Sequence, residues 1–223
     1  MAYLDLQSAP HRPTQHSTGQ LFYRHCGKRV LDLVIAVFLV PILAPLIALL
    51  YLLVRADGAA GLFAHTRVGQ GGTSFTCWKI RTMIPDAEAR LSAFLATNPI
   101  AAAEWGRTQK LQNDPRVTRL GRFLRRTSLD ELPQIWNVLR GEMSLVGPRP
   151  VTRPELARYG LRAATYLSLK PGVTGLWQVA GRSNGCYAER LQMDQTYALS
   201  IGMWRDLGLI GRTAFVRIKP TGR

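Results

Sequence analysis

Residues 33–54 read LVIAVFLVPILAPLIALLYLLV, a run of 22 residues without a charge. As a straight helix such a run extends roughly 33 Å, enough to cross the roughly 30 Å hydrocarbon core of a bilayer. A helix apolar on every face suits a small soluble core poorly. A cleaved signal sequence has a shorter apolar stretch and would not carry the long polar leader, residues 1–29, that precedes this one. The segment therefore reads as a retained membrane anchor. Pro41 and Pro45 sit near its middle, and each removes a backbone donor. Arg24, Lys28 and Arg29 precede it and Arg55 and Arg67 follow it, so flanking charge gives no orientation. On the residues alone two arrangements stay open: a simple span, or a re-entrant helical hairpin bent at the prolines with both ends in the cytoplasm.

Outward from the anchor, the chain divides into a polar, disordered tail over 1–29, the membrane helix over 30–55 and a catalytic domain over 56–223. Residues 1–20 show no apolar periodicity. The net charge is +15, from 29 Lys and Arg against 14 Asp and Glu. Before Arg55 the only charges are Arg12, Arg24, Lys28 and Arg29 against Asp5 and Asp32, so nearly all the excess lies beyond the anchor. Such an excess suits nucleic acid, anionic lipid or a phosphorylated substrate. No helix-turn-helix, zinc or RNP-type aromatic signature accompanies it, which argues against nucleic acid. Cys26, Cys77 and Cys186 are odd in number and widely spaced, which excludes a disulfide framework and fits a reducing compartment.

The domain reads as mainly α with a small β-hairpin, an α+β class. Runs at 62–68 and 74–82 flank Gly69-Gln70-Gly71-Gly72 and predict the hairpin. Residues 86–96 and 100–110 read as helices separated at Asn98-Pro99. In 117–126, Leu120, Phe123 and Leu124 share a face flanked by Arg119, Arg122, Arg125 and Arg126, the pattern of a helix lying in a membrane interface. A helix over 129–140 stops at Gly141, and Gly147-Pro148-Arg149-Pro150 is a rigid turn. Residues 154–167, 186–199 and 204–218 read as helices and 173–179 as a short strand.

Ser128-Leu129-Asp130-Glu131 opens the 129–140 helix. Ser128 and Glu131 have capping-box spacing. If Pro133 instead begins the helix, both carboxylates lie just before it. An ionised Asp can attack phosphorus, and a second carboxylate can hold Mg²⁺ against a diphosphate. Neighbouring helical positions diverge by about 100°, so Asp130 and Glu131 suit two different roles. Cations for a diphosphate are Arg149, between two prolines, Arg182, after Gly181, and Lys79 with Arg81, which share a strand face. Asp194, on a helix with Tyr187, Leu191 and Ala198, reads alone as a polar-face residue.

Four stretches carry a resemblance: FTCWKIRTM (75–83), NDPRVTRLGRFLRRTSLDELPQIWNV (113–138), GEMSLVGPRP (141–150) and KPGVTGLWQVAGR (170–182). Together they resemble the bacterial sugar transferases, monotopic polyprenyl-phosphate hexose-1-phosphate transferases. The resemblance covers about residues 28 to 218. It implies transfer of a hexose-1-phosphate from a UDP-sugar to undecaprenyl phosphate with release of UMP, through a covalent enzyme intermediate. It implies Asp130 as nucleophile, Glu131 assisting with Mg²⁺, and substrate contacts from Lys79, Arg81, Pro148, Arg149, Pro150, Arg182 and Asp194. It also implies a helix broken at Pro41 or Pro45 on the cytoplasmic face of the bacterial inner membrane. The partners implied are an anionic bilayer and downstream glycosyltransferases, with a homodimer left open. Residues 146–160 (VGPRPVTRPELARYG) look most like the galactose-type, exopolysaccharide-priming branch. Ser200-Ile201-Gly202 and Arg205 depart from the family pattern, which puts the packing of the last helices in doubt.

Overall fold

The structure is a computed structural model that describes Gly19 and residues 22–56, 58–108, 111–180 and 187–218. Apart from Gly19, the expected tail at 1–20 lies outside the described residues, as do Arg182 and Cys186.

After a π-helical turn at Tyr23–Gly27, one helix, α1, runs Lys28–Arg55. The helix continues through both Pro41 and Pro45. Both lie on its exposed side, so the lost bonds and the ring clashes fall on one face while the other keeps its ladder. That other face packs on the domain along the helix, through Leu31, Ile35 and Ala36 at one end, Leu43 and Ile47 in the middle, and Leu50 and Tyr51 towards the other. Val37, Phe38, Ile42, Leu49, Leu52 and Leu53 form the opposite face and are exposed. An apolar face of that size with no protein against it marks a surface for membrane or another apolar partner.

The hairpin forms as expected, with β1 (Leu62–Val68) antiparallel to β2 (Ser74–Ile80) in the register Leu62↔Ile80 to Val68↔Ser74. Helices α2 (Ala87–Thr97) and α3 (Pro99–Thr108) are separated at Asn98. Next comes α4 (Arg119–Thr127), whose Thr118 N-cap accepts from Gly121 N–H. Part of its apolar face packs on protein. Leu124 is fully buried and Leu120 packs beside it, against Leu50 of α1 and Ile80 of β2; only Phe123 of the three stays exposed. The small core under the end of α1 needs covering, and these leucines cover it.

Helix α5 is Gln134–Arg140, capped at its C-terminus by left-handed Gly141 (φ 80°). Two three-residue strands, β3 (Ser144–Val146) and β4 (Gly172–Thr174), pair in parallel, which the sequence reading did not foresee. The helix expected at 154–167 is divided into α6 (Arg153–Ala157), a 3-10 turn and α7 (Ala163–Leu167), because Gly160 takes φ 52°. The strand expected over 173–179 is β4 followed by the short helix α8 (Leu176–Val179). Helices α9 (Tyr187–Leu199) and α10 (Met203–Ile218) complete the fold. At the departure from the family pattern, Ile201 is buried in the main core and Gly202 O accepts from Asp206 N–H, so the altered residues pack.

One buried polar side chain sets α5 against the hairpin. Asn137 has no exposed surface; its Oδ1 accepts from Trp78 N–H (3.2 Å) and its Nδ2 donates to Thr76 O (2.7 Å). It thereby satisfies the free edge of β2. Asn137→Leu strands both backbone groups and is expected to cost about 3 kcal/mol. Denaturant unfolding measures it, and a change below about 0.5 kcal/mol would refute this role.

Candidate active site

Helix α4 ends at Ser128, held left-handed at φ 55°. That residue turns the chain into a 3-10 turn, Leu129–Glu131, and α5 begins after Pro133. The capping-box reading is therefore replaced by its alternative: Ser128 caps nothing with its side chain, and both carboxylates precede the helix. A non-glycine residue in this backbone region stores strain, of the kind that persists where surrounding structure fixes a functional geometry.

The two carboxylates differ as their divergence predicts. Glu131 lines a polar cavity with Lys79, Arg67, Arg149, Gln134 and Cys77. Lys79 Nζ lies 2.8 Å from Glu131 Oε1, and Arg149 Nη1 lies 3.9 Å from the same oxygen. Asp130 adjoins this cavity without lining it and is only 8 % exposed. Burial first, and then the charge of Glu131, push its carboxyl above the ordinary range, against the pull of Lys79 and Arg125. Cys77, which does line the cavity, is buried, and burial pushes its thiol up, which holds it neutral.

The turn carrying Arg149 is fixed on three successive carbonyls. Pro148 O accepts from Gly172 N–H, Arg149 O from Arg190 Nη2 and Pro150 O from Arg67 Nη1. Three glycines make this possible: a Cβ on Gly147 would stand 2.4 Å from Lys170 O, one on Gly172 2.0 Å from Gly147 N, and one on Gly175 2.1 Å from Gly147 O. With its backbone held, the half-exposed Arg149 side chain is free to reach an anion above Glu131.

The structure brings Lys79, Glu131, Arg149 and Pro150 to one cavity, with Asp130 beside them. Among the described residues, it does not bring Pro148, Arg81 and Asp194 there. Pro148 is fully buried. The Arg81 guanidinium is engaged by the carbonyls of Val54, Ala60 and Met83, so it fastens the end of α1 to the hairpin. Asp194, read as a polar-face residue, is 5 % exposed and accepts from Tyr159 OH (3.1 Å). Its position is internal because Tyr159, brought in from a distant segment, covers it. Asp194 feels the charge of Arg190, whose Nη2 donates to Arg149 O. Arg67, Gln134, Asn137 and Arg190 escaped the sequence reading; Arg67 was noted only as flanking charge.

Burial lifts the Asp194 carboxyl to about 6, against the pull of Arg190 and Tyr159. Its folded pKa lies above its unfolded one of about 4, so its protonated form favours the fold. The wild type should lose about 3 kcal/mol of stability relative to Asp194→Asn as pH rises from about 4 to about 6. Unfolding free energies of the pair across that window test this; a constant difference would refute it.

A buried aspartate beside a carboxylate bracketed by Lys and Arg puts cations and carboxylates where an anionic group could be held. The family model described as bacterial sugar transferase matches residues 23–220. The chain belongs to the bacterial sugar transferase family. Among its relatives, the UDP-galactose-lipid carrier transferase of Erwinia amylovora is 47 % identical over 195 residues, 87 % of this chain and 41 % of that protein. The chain thus spans less than half the length of that relative. The exopolysaccharide production protein ExoY of Sinorhizobium fredii is 45 % identical over 188 residues, covering 84 % of this chain and 83 % of that one. The UDP-glucose:undecaprenyl-phosphate glucose-1-phosphate transferase of Caulobacter vibrioides is 40 % identical over 195 residues, 83 % of this chain and 67 % of that one. Within this bacterial sugar transferase, Asp130, Glu131 and Arg149 all lie inside the matched span.

Proposed function

We propose that the chain is a phosphoglycosyl transferase that moves a hexose-1-phosphate from a UDP-sugar, with UDP-galactose favoured, to undecaprenyl phosphate. The observation that carries this reading is Glu131 held between Lys79 and Arg149 beside the buried Asp130. Lys79 and Arg149 bind the diphosphate. An Asp130 carboxylate oxygen attacks the sugar-bearing phosphorus, the bridging P–O bond breaks, and UMP leaves with that oxygen. A phosphate oxygen of the lipid acceptor then attacks the same phosphorus, breaking the Asp130 O–P bond and returning the carboxylate. The lipid-linked product is a substrate class for downstream glycosyltransferases.

The donor set fits Mg²⁺. Asp130 and Glu131 offer hard oxygen ligands, and this ion commonly takes one or two carboxylates with phosphate oxygens and water completing the shell. Among the described residues no group of three or more His, Cys, Asp or Glu could hold an ion alone, so substrate would supply further ligands. Bound there, the ion would neutralise charge developing on the leaving phosphate.

The reading places the protein as monotopic at the cytoplasmic face of the inner membrane. Its support is that the domain grips α1 at both ends. Arg29 forks onto Val138 O and Leu139 O and Asp32 accepts from Leu145 N–H, while Arg81 binds Val54 O. A helix crossing the bilayer upright would draw this polar domain into hydrocarbon; one lying or folding back in a single leaflet would not.

Purified protein in nanodiscs with Mg²⁺, undecaprenyl phosphate and UDP-sugars is expected to release UMP, fastest with UDP-galactose. The name of the Caulobacter relative makes UDP-glucose the second donor to try. A UDP-N-acetylhexosamine is the third, and no UMP with any of these donors would leave a membrane scaffold of a polysaccharide-assembly complex as the surviving reading.

A further inference from the structure

On the far side of the strand that bears Lys79 lies an apolar groove of about 720 Å³. Its outer wall is a single stripe of α1, from Val40 through Ala44 and Ala48 to Tyr51. Its inner wall is Trp78, Pro133, Ile135 and Trp136. The same two elements thus wall both spaces. In β2, Cys77 and Lys79 face the polar cavity and Trp78 faces the groove, as strand alternation requires. In the segment after Asp130, Glu131 and Gln134 face the cavity while Pro133, Ile135 and Trp136 face the groove. β2 and the segment from Glu131 thus separate a cationic space from an apolar one, and the buried Asp130 directly precedes that segment.

We propose that this groove seats the head-proximal isoprene units of a polyprenyl phosphate, the acceptor of the reaction proposed above, on which this inference rests. A nucleotide sugar has no apolar part to fill the groove, whereas an acceptor with one phosphate and a long hydrocarbon tail matches a polar and an apolar compartment built on the same two elements. The groove opens between the domain and the helix whose other face is bare, so a lipid enters it from the bilayer side without crossing water. Its volume is within the usual range of about 300–1,000 Å³ for small-molecule sites, and the remainder of the chain stays in the membrane. Ala44 and Ala48 keep the groove open from the α1 side.

The test uses the whole protein in nanodiscs without UDP-sugar and a polyprenyl phosphate carrying a photoreactive group on its first isoprene units. Crosslinks are expected on residues 40–51 and 133–140, suppressed by excess undecaprenyl phosphate and not by the same excess of phosphatidylglycerol. Ala48→Trp, which fills the groove, is expected to lower crosslinking at least tenfold and to raise the acceptor KM at least tenfold. UMP formed in the acceptor-free half-reaction should change less than twofold. Crosslinks elsewhere, or equal competition by phosphatidylglycerol, would overturn the proposal and leave a groove for bulk lipid. Because crosslinking is read on wild-type protein, a misfolded variant does not blunt the test. Failure of wild type to form UMP would sink the transferase reading separately.

Discussion

Asp130→Asn is expected to lower turnover by at least about 10³-fold and at the same time to raise the melting temperature. Both effects come from one feature: a carboxylate placed where the fold disfavours its charge. Asp130 is 8 % exposed, and burial together with Glu131 pushes its carboxyl up. Its protonated form therefore favours folding. The fold is penalised as pH rises from the unfolded value of about 4 through the folded pKa. Asparagine has the same shape and no charge to bury. The variant should melt above the wild type at neutral pH, and the gap should close below about pH 4. Activity carries the opposite sign, because only the ionised carboxylate attacks, so turnover rises with pH through the same titration. Mass spectrometry after incubation with donor should find a phosphosugar adduct on the wild type and none on the variant. Retention of near-wild-type UMP release would sink the covalent step, and Cys77→Ser then becomes the next variant to assay, since that thiol lines the same cavity.

The parts of this arrangement that could be read from sequence were local ones. The hairpin followed from strand runs around a glycine cluster, and the break at Asn98-Pro99 followed from the geometry of the residue before proline. Asp130 and Glu131 were visible as a pair because their spacing to Ser128 and Pro133 offered two readings, and the left-handed Ser128 decided between them. What escaped depends on residues far apart in the chain. Asp194 has the periodicity of a surface position, and only Tyr159 from another segment makes it internal. Arg81 shares the expected strand face with Lys79, yet carbonyls from Val54, Ala60 and Met83 hold it away from the cavity. The paired strands at 144–146 and 172–174 are too short to show any period, and close glycine contacts set them. For α4, a stripe of leucines flanked by arginines predicts a face without saying what covers it, and α1 and β2 cover Leu124.

The attachment of α1 rests most heavily on Asp206, and Asp206→Ala is expected to cost about 3–5 kcal/mol, the usual consequence of orphaning one member of a buried ion pair. Asp206 is 1 % exposed, and its Oδ2 receives Lys28 Nζ at 2.6 Å and Tyr23 OH at 2.7 Å. Its Oδ1 receives Tyr197 OH at 2.9 Å. One carboxylate thus joins the turn before α1, α1 itself, α9 and α10. Alanine leaves the Lys28 ammonium without its ion-pair partner and the Tyr23 hydroxyl without its acceptor, while Tyr197 OH keeps Val146 O. The expected loss therefore exceeds that of a surface pair, worth at most about 1 kcal/mol. Asp206→Asn keeps an acceptor oxygen and should lose less. The pair can be separated from the packing by a double-mutant cycle with Lys28→Met. If the cost of Asp206→Ala comes from the stranded ammonium, removing that ammonium should recover more than half of it. Thermal unfolding in detergent reads all four proteins of the cycle. A loss under about 1 kcal/mol for Asp206→Ala, or additive effects in the cycle, would show that α1 is held by its apolar stripe alone.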